Sequence, residues 1–217
     1  MFSRALALAA ATVLSLSSFA AEPIFEGHDY TLVQSPRAAA PGSKIEVQKF
    51  FWYRCPHCFQ IEPGFNRWLK TLPGDAQIRR VPAVFRANWM PGAKLYHSLE
   101  QMRLLGRLHD KVFHAYHVEK IDLDNPAVLG SWIARQGVNR RQFESVYNSF
   151  STQSRATQGA QLATAYGISG VPAFVVDGKY ATSVSLTGSE ARLFEVLDQL
   201  IAKARAERPA AKPRPAR

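Results

Sequence analysis

Cysteine is nearly absent from this chain, which has two among 217 residues. Two cysteines cannot build the network of disulfides that holds small secreted proteins together. They stand at Cys55 and Cys58, so a bond between them would close a very short loop. Such a loop constrains the unfolded chain little, and a stabilising crosslink is therefore a poor explanation for the pair. A chemical role explains it better.

Long apolar segments are also scarce. Only residues 5–16 are almost wholly apolar, and they are fewer than the ~20 that a membrane span needs. Arg4 precedes them and small residues follow, an arrangement typical of an export signal with cleavage after Ala20 or Ala21. The alternative is an uncleaved membrane anchor. We expect residues 1–21 to be a signal peptide and the mature chain to work in an oxidising compartment.

Acidic residues are outnumbered, 17 against 27 basic ones, which gives a formal net charge of +10 at pH 7. Part of the excess lies in residues 207–217, where cations alternate with proline and alanine. Such a segment cannot bury apolar surface, so a disordered basic tail is predicted. Basic tails can bind nucleic acid or anionic lipid. No aromatic side chains are interleaved with these cations, so we expect no nucleic-acid partner.

The periodicity of apolar residues predicts five strands. They span residues 30–34, 44–53, 77–85, 172–176 and 179–183. Helices are predicted after Pro56, over 155–166 and over 190–206, and Asp177-Gly178 indicates a hairpin. Between them, residues 91–150 carry only helical stripes. The prediction is an α/β, thioredoxin-like fold whose two parts, 22–87 and 155–206, flank an inserted all-helical domain at 88–154.

The two cysteines frame Pro56 and His57 directly after the apolar run Phe50-Phe51-Trp52-Tyr53. Pro56 suits the first turn of a helix, because its missing N–H would have no partner there. The unpaired N–H groups of that turn stabilise a thiolate, which is the nucleophile in thiol–disulfide exchange. We predict that Cys55 is the exposed attacking sulfur and that Cys58, one turn further, is the shielded resolving thiol. His57 lies in the same turn and can polarise the Cys55 thiolate.

In these residues the chain resembles the DsbA family of exported thiol oxidases. The first match is Phe50-Phe51-Trp52-Tyr53-Arg54-Cys55-Pro56-His57-Cys58, with Gln60 and Glu62 behind it. The second is Gly167-Ile168-Ser169-Gly170-Val171-Pro172-Ala173-Phe174-Val175-Val176-Asp177-Gly178-Lys179-Tyr180, which is similar to the family's cis-proline loop and hairpin. The helical insert and the signal peptide complete the likeness, which covers the mature chain from about residue 30 to residue 201.

The resemblance implies a periplasmic oxidoreductase that donates its Cys55–Cys58 disulfide to unfolded, newly exported proteins. It implies that Val171 and Pro172, joined by a cis bond, offer a backbone edge to an extended substrate. It also implies reoxidation by a quinone-linked membrane enzyme of the DsbB type. No bound cofactor is needed, because the cysteine pair itself carries two electrons. We expect a monomer.

Two positions depart from the family pattern. Lys49 stands six residues before Cys55, where the family often has an acidic residue. A lysine there would favour the thiolate, or would turn outward because a buried ammonium is costly to desolvate. Pro63 directly follows Glu62 and is expected to bend the first helix early.

Other functions remain open at this point. The chain could be an isomerase or reductase of the same fold, although no dimerisation domain precedes the first strand. It could instead be a non-catalytic chaperone that binds thiols or metal. A zinc site would need further ligands, and the histidine cluster His109, His114 and His117 lies in the insert, where we expect solvent-facing side chains.

Overall fold

The computed structural model describes residues 22–37 and 43–208. The predicted signal peptide lies outside these ranges, as does most of the predicted tail. Within them the elements follow this order: β1 Thr31–Leu32, β2 Ile45–Phe51, α1 Pro56–Trp68, β3 Ala76–Pro82, α2 Met90–Gln101, α3 Leu105–His117, α4 Pro126–Arg135, α5 Arg140–Tyr147, α6 Phe150–Ala165, β4 Ala173–Val176, β5 Tyr180–Thr182, α7 Val184–Thr187 and α8 Glu190–Glu207. None of the helices described here is both long and apolar enough to cross a membrane.

The strands form one sheet in the order β1-β5-β4-β2-β3. Only β2 and β3 run parallel; each of the other pairs is antiparallel. Strand β2 lies between β4 and β3, with Phe50 opposite both Ala173 and Val81. This central position explains why every residue of β2 except Glu46 is buried, Gln48 and Lys49 included, since both of its faces are covered. The predicted thioredoxin-like fold with an inserted helical domain is confirmed.

Alternation along the strands divides the core between the two faces of the sheet. Val47 of β2 and Phe174 of β4 are fully buried against α1 and α8. Phe50 and Val175 point the other way and pack against α6. A third cluster fills the insert and reaches the cysteines, so Cys58 lies at the junction of sheet and insert.

The sequence predicts a turn at Asp177-Gly178 and a bend at Pro63. The hairpin between β4 and β5 turns at Asp177 and Gly178, both at positive φ (54° and 63°), and the N–H of Lys179 closes the turn by donating to the carbonyl of Val176 (3.0 Å). Helix α1 runs through Pro63 as one helix from Pro56 to Trp68. Pro63 therefore lies inside the helix and does not end it; the bend expected at this position stays a prediction.

Two of the predicted boundaries fall inside packed structure. Helix α6 crosses the junction placed between residues 154 and 155, because its first turns pack on α2 and its later turns on β3. At the other end, α8 includes Glu207, and Arg208 pairs with Asp177 and donates to the carbonyl of Lys44 (3.2 Å). The packed chain thus extends two residues into the segment predicted as a disordered tail.

Candidate active site

The two cysteines lie where β2 passes into α1. Cys55 is the N-cap residue of α1, with extended backbone angles, and its N–H donates to the carbonyl of Trp52 (3.0 Å). Pro56 begins the helix, and no side chain caps the N–H groups of the first turn. Those N–H groups therefore face the sulfur of Cys55, as the sequence predicts for a helix that opens with this motif.

The two sulfurs differ in their access to solvent. Both are free thiols. Cys55 is 7% exposed and Cys58 is fully buried. The prediction of an exposed Cys55 is therefore wrong in degree, because Val171 and the surrounding aromatic residues cover most of it. The predicted order of exposure is right, since Cys55 is more accessible than Cys58.

The pKa values of the Cys55 and Cys58 thiols shift in opposite directions. A hydrogen bond from the Cys58 thiol, helped by the N–H groups of Cys58 and His57, lowers the pKa of Cys55 to about 6 despite its partial burial. Burial raises the pKa of Cys58 well above its usual range, and the neighbouring Cys55 sulfur adds to this rise. At pH 7 a pKa near 6 gives about ten thiolates per thiol. Cys55 is thus the anion and Cys58 its proton donor.

The loop before β4 faces Cys55. The bond between Val171 and Pro172 is cis. The carbonyl oxygen of Val171 lies 3.5 Å from the sulfur of Cys55. The structure thus brings together Cys55, Cys58, His57 and the Val171-Pro172 loop, although more than a hundred residues separate the two segments.

A groove of about 670 Å³ runs from this loop along α1. From α1 it is lined by His57, Gln60 and Ile61. The opposite wall consists of the loop before β4 and of residues 181–186, and Glu190 stands at the beginning of α8. His57 is exposed, and its Nδ1 lies 3.1 Å from Oε1 of Gln60. The groove can therefore hold an extended segment whose cysteine meets Cys55.

A buried polar cluster lies behind Cys58. Lys49 of β2 is fully buried, forms an ion pair with Glu62 of α1, and stands 4.1 Å above the ring of Phe65. Of the two alternatives for Lys49, the one in which it turns outward is wrong. Burial lowers the pKa of Lys49, whereas for Glu62 the adjacent His109 and Lys49 outweigh burial and hold the pKa below its usual range.

His109 completes this cluster from the insert. Its Nδ1 lies 2.8 Å from the hydroxyl of Tyr53, and its Nε2 lies 3.7 Å from Glu62. Burial lowers the pKa of His109, and the adjacent Glu62 opposes this shift. The prediction that the histidines of the insert face solvent is wrong for His109. No local signal in the sequence could have placed it beside Glu62, which is 47 residues away.

The insert also holds the residues around the cysteines. Nε2 of His117 lies 2.7 Å from the carbonyl oxygen of Tyr53, and its ring stacks on Phe59 at 4.9 Å. Arg54 donates to Asp124 (2.7 Å) in the loop after α3. These contacts reach the residues just before Cys55 and just after Cys58, and sequence reasoning missed them.

Candidate metal ligands lie away from both sulfurs. Across residues 22–37 and 43–208, one group of three potential ligands was found: Glu62, His109 and Asp110. It contains neither cysteine, and the ammonium of Lys49 already bonds to Glu62. The group is therefore better explained as part of the buried polar cluster.

Comparison with known proteins identifies the chain's relatives. Residues 80–200 match the DSBA-like thioredoxin domain family. The thiol:disulfide interchange protein DsbA of Bordetella parapertussis is 41% identical over 200 residues, which cover 91% of this chain and 95% of that protein. DsbA of Pseudomonas aeruginosa PAO1 is 36% identical over 180 residues, covering 83% and 85%.

Solved structures agree with these relatives. The crystal structure of Pseudomonas aeruginosa DsbA superposes with a TM-score of 0.79 at 36% identity and covers 84% of this chain and 95% of that one. The oxidoreductase NmDsbA1 of Neisseria meningitidis gives a TM-score of 0.74 at 28% identity, with 84% and 95% covered. On sequence and structure alike, this chain belongs to the DsbA family and is a thiol:disulfide oxidoreductase.

Proposed function

We propose that the chain introduces disulfide bonds into newly exported proteins, with Cys55 and Cys58 as its redox-active pair. The observation that carries this proposal is the opposite shift of the two thiol pKa values within one helical turn. A site that stabilises the Cys55 thiolate makes Cys55 a good leaving group and favours the reduced pair, so the disulfide is readily given away.

The transfer takes two exchanges. A substrate thiolate attacks the sulfur of Cys55; the Cys55–Cys58 bond breaks, and Cys58 leaves and takes up a proton. A second substrate thiolate then attacks the substrate sulfur of the mixed disulfide. The substrate disulfide forms, and Cys55 departs as the thiolate that Cys58, His57 and the helix N–H groups stabilise. The substrate is oxidised by two electrons and the cysteine pair is reduced by two.

The remaining site residues either stabilise the Cys55 thiolate or bind the substrate backbone. Pro56 opens the helix without using up an N–H, and His57 contributes both its backbone N–H and its ring beside the sulfur. Val171 and Pro172 border the groove next to Cys55 and bind the substrate backbone by strand-like pairing. Backbone pairing does not read side chains, which suits an oxidase that serves many unfolded proteins.

The proposal includes a cellular setting. Residues 1–21 direct export and are removed near Ala20 or Ala21, and the mature monomer works in the periplasm. A quinone-linked membrane enzyme of the DsbB type reoxidises the pair. Mass spectrometry of the protein from a periplasmic extract tests the first part; the expected mass corresponds to a chain that starts at Ala21 or Glu22. Retention of residues 1–20 would contradict it.

The experiment for the main proposal is the redox equilibrium of the mature protein in glutathione buffers. Tryptophan fluorescence gives the oxidised fraction, because Trp52 lies next to the pair, and thiol alkylation checks it. We expect a disulfide clearly more oxidising than that of thioredoxin. An equally reducing disulfide would contradict the oxidase and support a reductase of the same fold.

A further inference from the structure

The groove beside the cysteines contains a single formally charged side chain. Of the residues that line it, Glu190 alone is an Asp, Glu, Lys or Arg. The rest are apolar or uncharged polar residues, apart from His57. The chain has ten more basic than acidic residues, and most of the described carboxylates pair with a Lys or Arg side chain. Among the described residues, no hydrogen bond or ion pair joins Glu190 to another side chain.

Glu190 occupies a place that the sequence of α1 leaves open. A Cβ atom on Gly64 would lie 1.6 Å from Oε1 of Glu190 and 3.2 Å from the ring of Phe194. Glycine at position 64 therefore lets the carboxylate lie directly on the surface of α1. Any larger residue there would displace the carboxylate from the groove.

Gly64 lies on the side of α1 that faces the groove. His57, Gln60 and Ile61 line the groove, and Gly64 follows His57 by seven residues, or about two turns. The nine residues from Cys55 to Gly64 span about 14 Å at 1.5 Å per residue. An extended segment advances about 3.3 Å per residue, so this distance corresponds to about four residues of substrate.

We propose that Glu190 is a specificity-determining residue that favours substrate segments with a Lys or Arg three to five residues from the cysteine that meets Cys55. This inference rests on the proposed function, because it places the substrate along the groove with its sulfur at Cys55. The backbone edge at Val171 accepts any sequence, and Glu190 adds a charge preference to it. A long basic side chain can lay its apolar stem along the groove and reach the unpaired carboxylate.

Single-turnover oxidation of matched peptides tests the proposal. The peptides are unstructured, carry two cysteines and differ only in Lys, Gln or Glu four residues from the first cysteine. The second-order rate constant is measured with the oxidised full-length mature protein at low salt. For the wild type we expect a three- to tenfold preference for the Lys peptide over the Glu peptide, the size of one partly exposed ion pair and one like-charge contact. Concentrated salt should remove most of it.

Substitution at position 190 should change this ratio in a defined order. Glu190→Gln should bring it close to one, and Glu190→Lys should invert it. Glu195→Gln is the matched control, because Glu195 lies on the same helix and pairs with Arg192 instead of lining the groove. It should leave the ratio unchanged, and thermal unfolding confirms that each variant is folded.

Different results would contradict the charge preference and the proposed oxidase function. A wild-type ratio of one, or a preference that Glu190→Gln leaves unchanged, overturns the charge preference and leaves Glu190 as a favourable charge at the N-terminus of α8. Failure of the wild type to oxidise any of the peptides, while dithiothreitol still reduces its disulfide, contradicts the proposed oxidase and the inference with it.

Discussion

Lys49 and Glu62 form an ion pair inside the protein, one from the central strand and the other from the helix that begins at the cysteines. Neither charge has much access to water, with side-chain exposures of 0% and 6%. Lys49 depends on Glu62 for compensation, because a buried unpaired ion carries a desolvation penalty of several kcal/mol. Glu62 has a second cation nearby, Arg80, at 3.8 Å.

Breaking this pair should destabilise the fold strongly. We expect Glu62→Leu to lower the free energy of unfolding of the oxidised protein by about 3–5 kcal/mol, because it leaves the buried Lys49 ammonium without a counter-ion. Lys49→Met should cost less, because Glu62 keeps Arg80 at 3.8 Å. The double variant should recover most of that loss, since no ion then remains unpaired. Urea denaturation at neutral pH measures all three.

An exposed pair provides the control. Arg140 and Glu144 bond at 2.6 Å on α5 with side chains about half exposed, so removing either should cost less than about 1 kcal/mol. If Glu62→Leu were as mild as Arg140→Met, the view that this ion pair is structurally required would fail.

His57 should act on Cys55 in two separable ways. Both its backbone N–H and its ring charge lower the pKa of Cys55. His57→Ala removes only the ring, whereas His57→Pro also removes the N–H. We expect the pKa of Cys55 to rise from wild type to His57→Ala and again to His57→Pro, by about half a unit to one unit each time.

Thiolate absorbance as a function of pH gives these values, and the redox equilibrium should become more reducing in the same order. Near-UV circular dichroism verifies the fold of each variant. Identical values for the Ala and Pro variants would show that the N–H of residue 57 has no part in stabilising the thiolate.

The stability of the reduced protein should depend on pH through Cys55. Its pKa is about 6 when folded and about 8.5 when unfolded, so folding favours the thiolate. The resulting stabilisation is complete above about pH 8.5 and is lost as pH falls through 6. The oxidised protein has no such titrating thiol.

The difference in unfolding free energy, reduced minus oxidised, should therefore rise between pH 6 and 8.5 with a slope of up to about 1.4 kcal/mol per pH unit. Denaturation of both redox forms across this range measures it. A Cys55→Ser variant cannot form the disulfide, so its unfolding free energy is compared with that of the oxidised wild type, and this difference should show no such slope. A flat reduced-minus-oxidised difference in the wild type would contradict the lowered pKa.

Two helical glycines should respond oppositely to alanine. A Cβ on Gly159 of α6 would lie 2.9 Å from the carbonyl oxygen of Pro82, which belongs to the backbone and cannot turn aside. We expect Gly159→Ala to cost about 1–3 kcal/mol by pushing α6 off the sheet. Gly106 of α3 has open space around it, so Gly106→Ala should be neutral or stabilise by up to about 1 kcal/mol. Thermal or urea unfolding compares the two, and equal effects would contradict the close contact.

The sequence predicts those parts of the structure that depend on local pattern. The apolar run Phe50-Phe51-Trp52-Tyr53 predicts the strand that ends at Phe51, and Pro56 predicts the start of α1. The turn at Asp177-Gly178 follows from the two residues that tolerate positive φ. In each case neighbouring residues settle the outcome.

The polar cluster could not be predicted in the same way. Whether Lys49 faces outward or inward depends on Glu62 and His109, which reach it from a different helix and from the insert. A buried charge is acceptable only where packing supplies its partner, and packing is not a local property. The partners His117 and Asp124 of the residues around the cysteines were missed for the same reason.

Helix α6 gives the molecule a mechanical property of its own. Its first turn is capped by Ser149 and tied through Thr152 to Gln101 of α2 (2.7 Å), while its later turns lie on the sheet. The insert and the sheet thus share one continuous helix. Deleting residues 88–154 would remove the first turn of α6 together with its N-cap, Ser149, and would expose the face of α6 that α2 covers. The insert therefore cannot be transferred to another protein by itself; all of α6 would have to be transferred with it.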